Sequence, residues 1–209
     1  MKSNLDVGLL ENCAQIAKDI RNWLEKKDHP EHYKDVKDLE LTRGFIHTLD
    51  LLETVLVRFE ITAFIARQIF QAELSVTEDS LMVEFVQIDV EGHFSFNLLE
   101  LCYELSNACQ EIEKFERNDN TFSIFAKSPP KLGTIRLARH KATHFEPEQF
   151  EKLAIAKQYS ILRRPYKVIN GKLEKQLAGD TMPRVVELIK ESVAESYRYL
   201  TLLREATIG

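Results

Sequence analysis

Glycine and proline are scarce in this 209-residue chain, at 7 and 6 residues. Chains built wholly of strands need many tight turns, so the shortage argues against an all-β fold. Cysteine is rarer still: Cys13, Cys102 and Cys109 are an odd number at wide spacing. That excludes a disulfide framework of the small-secreted-domain kind. With no signal sequence apparent at the N-terminus, the expectation is reduced thiols and a cytoplasmic location. Cys102 and Cys109, seven apart on an apolar stripe, read as small core residues. No apolar run approaches the roughly 20 residues of a membrane-spanning helix, so no membrane partner is expected. The formal net charge is −5, which provides no general attraction to nucleic acid or anionic lipid. Any site for a polyanion has to be local.

What is present is helical periodicity. Leu9, Cys13, Ile16, Ile20 and Trp23 recur at steps of three and four, predicting a helix over about 5–26. Phe45, Leu49, Leu52, Leu56, Phe59, Ala63, Ala66 and Phe70 hold one face over 39–74. A helix of that length spans about 50 Å and calls for a long bundle or a second subunit. Residues 77–94 show Val and Ile near alternation before Gly92 and are read as an extended connector. Leu98, Cys102, Leu105, Cys109, Ile112 and Phe115 predict a helix over 96–117.

Further on, SPPKLG is a loop signal, and Thr134 is placed to cap a helix over 134–145. Pro147 ends that helix and suits the first turn of another over about 147–160. Asn170-Gly171 signals a tight turn, with room for a small hairpin in an otherwise irregular stretch. Met182, Val186, Ile189, Val193, Tyr197, Leu200 and Leu203 predict a last helix over 181–206. The expected architecture is one domain over 1–209, an all-α antiparallel helical bundle with long helices and irregular connectors.

The local polyanion site emerges at RLARHKATHF, 136–145. From Asn120 to Phe145 there are five basic residues (Lys127, Lys131, Arg136, Arg139 and Lys141) and no acid. On a helical wheel Ile135, Ala138, Ala142 and Phe145 form the apolar face. Arg136, His140 and His144 form a separate stripe. Arginine offers a rigid fork of donors to a phosphate, and histidine passes protons near neutral pH. Together they suit metal-independent phosphodiester cleavage in RNA. Arg139 and His144 are five residues apart, a helical rotation of about 140°. One copy converges poorly on a single site; two copies about a dimer axis converge better.

Arg139-His140-Lys141-Ala142-Thr143-His144 resembles the motif of the HEPN superfamily. In these helical-bundle domains an Arg, often followed by a polar residue, precedes a His by four to six intervening positions. The resemblance implies an endoribonuclease with Arg139 and His144 as catalytic residues in a composite site of a homodimer. It implies RNA or phosphate binding by Arg136, His140, Lys141 and Lys131, and no metal or other cofactor. It also suggests a toxin or phage-defence role with an antitoxin or other regulator as partner. Some members carry a tyrosine two residues after the His, which the partner modifies. Glu146 stands there in this chain, which speaks against a partner of that type. Two other readings remain open: a non-catalytic module binding RNA or protein through the same segment, and a structural helical dimer. His140 and His144 at i, i+4 could share zinc, but no HExxH pattern or cysteine pair accompanies them. Glu53 and Glu60 on the long helix, His29 and His32 beside Pro30, and Arg163-Arg164 read as solvated charge.

Overall fold

The computed structural model describes residues 3–27, 39–71, 80–119, 122–133, 135, 166–169, 172–175 and 181–209. Four helices account for most of them: α1 (Val7–Lys27), α2 (Leu39–Gln71), α3 (Ser80–Asn118) and α4 (Thr181–Thr207). Strands β1 (Tyr166–Ile169) and β2 (Lys172–Lys175) pair antiparallel, with Ile169 opposite Lys172. The Asn170-Gly171 turn signal thus lies between two paired strands. The fold class is a helical bundle with one appended hairpin.

α1 starts where the Oδ1 of Asp6 accepts the backbone N–H of Leu9 at 2.9 Å, an N-cap for one of the orphan donors of the first turn. Lys26 and Lys27 close its last turn, where the helix dipole favours cations. Its buried face is Leu10, Cys13, Ala17, Ile20 and Leu24. Leu9, Ile16 and Trp23, expected on the stripe, pack at the edge of the core instead. The helix is rotated by about one position so that the smaller Ala17 and Cys13 face its neighbours.

Side-chain pairs fix the directions. Arg21 meets Glu60 at 3.0 Å and Arg67 meets Glu11 at 3.5 Å, so α1 and α2 are antiparallel. Phe70 against Phe94, Asn97 donating to Thr62, and Phe45 against Phe115 make α2 and α3 antiparallel. The expected antiparallel packing therefore holds for α1 with α2 and for α2 with α3. α4 runs alongside α3 in the same direction: Cys102 neighbours Ser196, while Cys109 neighbours Tyr199.

The core expected on α2 is in place. Phe45, Leu49, Leu52, Leu56, Phe59, Ala63 and Ala66 are buried. Along α4, Ile189, Val193, Leu200 and Leu203 are buried as expected, joined by Ser192 and Ser196. Those serines donate to carbonyls one turn back, at 2.7 and 2.8 Å, so their hydroxyls are satisfied inside the helix. Facing them, Ser106 and two cysteines give α3 an equally small-residue seam.

The extended connector expected over 77–94 is overturned from Ser80 onward. α3 begins at Ser80 and runs 39 residues, about 58 Å. The stripe of its second half continues upstream through Ser95, Glu91 and Ile88, all buried. Two of these are polar, which hides the periodicity. Glu91 is tolerated because the other end of the chain satisfies it. Its carboxylate accepts the Ser3 hydroxyl, the Asn4 backbone N–H and the Asn4 amide at 2.8–2.9 Å, with Gln87 adding a fourth donor. A carboxylate fully buried at a helix seam is stable only when so paired.

All three cysteines are buried free thiols. Burial pushes the Cys102 thiol up to about 12, and raises Cys13 and Cys109 likewise. The thiolate is the reactive form. The native protein is expected to resist a disulfide reagent such as dithionitrobenzoate, while the denatured protein titrates all three. Rapid labelling of any one under native conditions would contradict the packing.

Candidate functional site

The loop that follows α3 leads to the basic segment, and it is tightly held. Phe122, Ile124, Leu132 and Ile135 are all buried. Phe122 lies 4.4 Å from Phe45, ring centre to ring centre, and both rings also meet Phe115. Backbone groups complete the attachment. The N–H of Ala126, at 2.8 Å, and that of Lys127, at 3.3 Å, donate to the carbonyl of Ala206. That carbonyl belongs to the last turn of α4, where helix carbonyls lack internal partners. The loop therefore ties the C-terminal ends of α3 and α4 together.

Glu116 in the last turns of α3 holds the same loop from the other side. Its carboxylate accepts the N–H of Ile124 and that of Phe125, the second at 2.9 Å. Burial raises its pKa above the ordinary carboxylate range, and these backbone donors only partly offset the rise. A raised folded pKa means that the native state holds the proton more tightly. Stability is therefore lost as pH climbs from the ordinary carboxylate value through the raised one. Glu116→Gln keeps an acceptor without the charge. It is expected to remove that part of the pH slope in urea titrations between acid and neutral pH. Glu116→Ala leaves two N–H groups short of a partner and is expected to cost about 1–3 kcal/mol. An unchanged slope in the glutamine variant would show that Glu116 is not its source.

Pro129 and Pro130 stiffen the loop, and Gly133 takes the left-handed conformation at φ 50°, where a side chain would be strained. The Ile135 N–H closes a turn onto the carbonyl of Leu132 at 3.0 Å. Lys127 and Lys131 are exposed on this loop. Of the residues expected to bind phosphate, Lys131 is the one described: a solvated cation on an anchored support. Arg136, Arg139, His140, Lys141 and His144 lie outside the described residues, as do Glu146, His29, His32, Arg163 and Arg164. So do the helix expected over 147–160 and, apart from Ile135, the helix expected over 134–145. Ile135, placed by the sequence on the apolar face of that segment, is buried as expected.

The acids considered on α2 are otherwise engaged or placed. Glu60 pairs with Arg21 across the α1–α2 seam. A shallow groove beside that pair is lined by Ala14, Ala63 and Phe64 with Glu11 and Arg67 at its rim, and the latter two are paired. No group of acids, histidines and cysteines that could hold a metal occurs among the described residues. No described helix is long and apolar enough to cross a membrane.

One functional feature escaped the sequence reading. α2 is apolar on two faces. Opposite its buried stripe, Leu51, Val57, Ile61, Phe64, Ile65 and Ile69 are exposed. The signal was present in the sequence, since a one-sided surface helix would carry charges at those positions. No protein-family model, curated protein or solved structure matches the chain.

Proposed function

We propose that the protein acts on RNA as a HEPN-like, metal-independent endoribonuclease. Arg139 clamps the scissile phosphate, and His144 moves the proton. The observation that carries this reading is the acid-free basic run from Lys127 to Lys141, with the spacing from Arg139 to His144 inside it. Support comes from the long-helix bundle and from the loop that carries Lys127 and Lys131 at its exposed surface. Without a metal to activate water, the ribose 2′-hydroxyl is the nucleophile at hand. Its proton passes to a base as its oxygen bonds to phosphorus, and the 5′-oxygen leaves with a proton. Arginine offsets the charge that gathers on the phosphoryl oxygens.

The test is incubation of purified protein with mixed RNA in EDTA. The expected products end in a cyclic 2′,3′-phosphate and a free 5′-hydroxyl, and DNA of the same sequence stays intact. No cleavage, with RNA binding that weakens as salt rises, would favour a non-catalytic RNA-binding module instead. A protein-binding or purely structural dimer is the second reading, favoured by the exposed apolar face of α2.

A further inference from the structure

We propose that the outer face of α2 is the interface of a two-fold homodimer, in which the Val57–Ile61–Ile65–Ile69 ridge packs against its own copy. This goes beyond the proposed function and stands on observations separate from the basic segment.

The first observation is location. Where described, the exposed sides of the other helices carry mostly solvated residues: Lys18 and Glu25 on α1, Glu111 and Lys114 on α3, Lys190 and Arg198 on α4, with Leu202 a single exposed apolar side chain. On α2 the outward positions from 57 to 69 are aliphatic or aromatic, interrupted by Arg58, Gln68 and Arg67, the last turned toward Glu11 of α1. Water contact at such a run is unfavourable at about 25 cal/mol per Å².

The second is area. Leu51, Val57, Ile61, Phe64, Ile65 and Ile69 are 37–63% exposed. Large apolar side chains bury on the order of 150–200 Å² each, so Val57, Ile61, Phe64, Ile65 and Ile69 leave roughly 400 Å² of apolar surface per copy. Two copies together bury about 800 Å² from these side chains, and the polar groups beside them bring the contact to the roughly 1,000 Å² at which a specific interface becomes credible. Thr54, Arg58 and Gln68, exposed on the same face, provide a polar rim.

The third is self-complementarity. Val57, Ile61, Ile65 and Ile69 are spaced by four and form a single ridge. Ridges of that kind interdigitate with one another at a crossing of about −50°. An antiparallel copy, pivoting between Ile61 and Ile65, sets Val57 opposite the partner subunit's Ile69 and Ile61 opposite the partner subunit's Ile65. Arg58, already paired with Glu104 of α3, then faces the partner subunit's Gln68, whose carbonyl accepts its spare N–H groups. No like charges meet and no charge is buried, which is what an isologous contact requires.

Sedimentation velocity from low to tens of micromolar tests the assignment. The wild-type protein is expected to sediment as a dimer. Ile61→Asp and Ile65→Asp put a charge at the pivot and are expected to weaken dimerisation by at least about a hundredfold. Circular dichroism should stay helical, because both side chains are substantially exposed. Should either variant fail to fold, Ile61→Cys serves: mild oxidation is expected to cross-link it between subunits, whereas Lys190→Cys on α4 stays uncross-linked. A wild-type monomer throughout the range overturns the proposal, as does a dimer indifferent to both aspartates. So does a monomer whose Ile61→Cys thiol is shielded from maleimide, since the chain would then cover its own face. The readout is assembly alone. A dimer that cleaves no RNA keeps this interface, and a monomer that cleaves RNA loses it while keeping the proposed activity.

Discussion

Arg139→Ala and His144→Ala are each expected to lower RNA cleavage by about 10²–10⁴-fold, the range for losing a proton-transfer group or a donor to developing charge. The two side chains form one catalytic unit, so the double variant should fall little below either single variant. Neither residue belongs to the apolar positions of its segment, Ile135, Ala138, Ala142 and Phe145. Melting temperature and sedimentation should therefore match wild type. Lys131→Ala is a useful contrast. Its exposed ammonium can meet phosphate only as a point charge, so binding should weaken while the rate at saturating RNA is preserved. The measurement is initial rate against RNA concentration in EDTA. Wild-type rates in both Arg139→Ala and His144→Ala would place the chemistry elsewhere, however the protein assembles.

Phe45→Ala is expected to destabilise the fold most, by about 3–5 kcal/mol, the usual cost of removing a fully buried phenyl ring. For a chain of this size that corresponds to a fall of roughly 10 °C in melting temperature. Phe45 is fully buried and sits where three elements meet: α2, the end of α3 through Phe115, and the following loop through Phe122. Gly44 makes the same junction tight, since a Cβ there would lie 3.2 Å from the Phe115 ring. The cavity left by Phe45→Ala therefore opens beneath the loop that carries Lys127 and Lys131. Differential scanning calorimetry gives the number. A melt within a degree or two of wild type would mean that the aromatic cluster does not hold the loop to the bundle.

The helical periodicity of α2, and of the second half of α3, was legible because the buried positions there are apolar apart from Thr48, Thr62 and Ser106. Phe45 to Ala66 and Leu98 to Ile112 bury as the spacing predicts. The start of α3 was not legible, because Glu91 and Ser95 occupy core positions. A glutamate at a seam looks like a break in the stripe until Ser3 and Asn4, far away in sequence, are seen to hold it. The rotation of α1 toward Ala17 and away from Ile16 is likewise a matter of which neighbour needs the space. The basic segment was conspicuous from composition alone, since 26 successive residues without an acid stand out in an acidic chain.

By itself the sequence determined the helical class, the burial of the cysteines, the hairpin turn and the segregation of basic charge, because each follows from local spacing or composition. Tertiary structure showed that α2, whose core face the spacing predicts, carries a second apolar face left outward. Both faces have helical periodicity, and the positions of α1 and α3 cover one of them. Tertiary structure also decided the parallel course of α4 beside α3, through seams of small residues that admit close approach. Spacing along one helix carries no information about the direction of its neighbour; contacts between residues distant in the chain do.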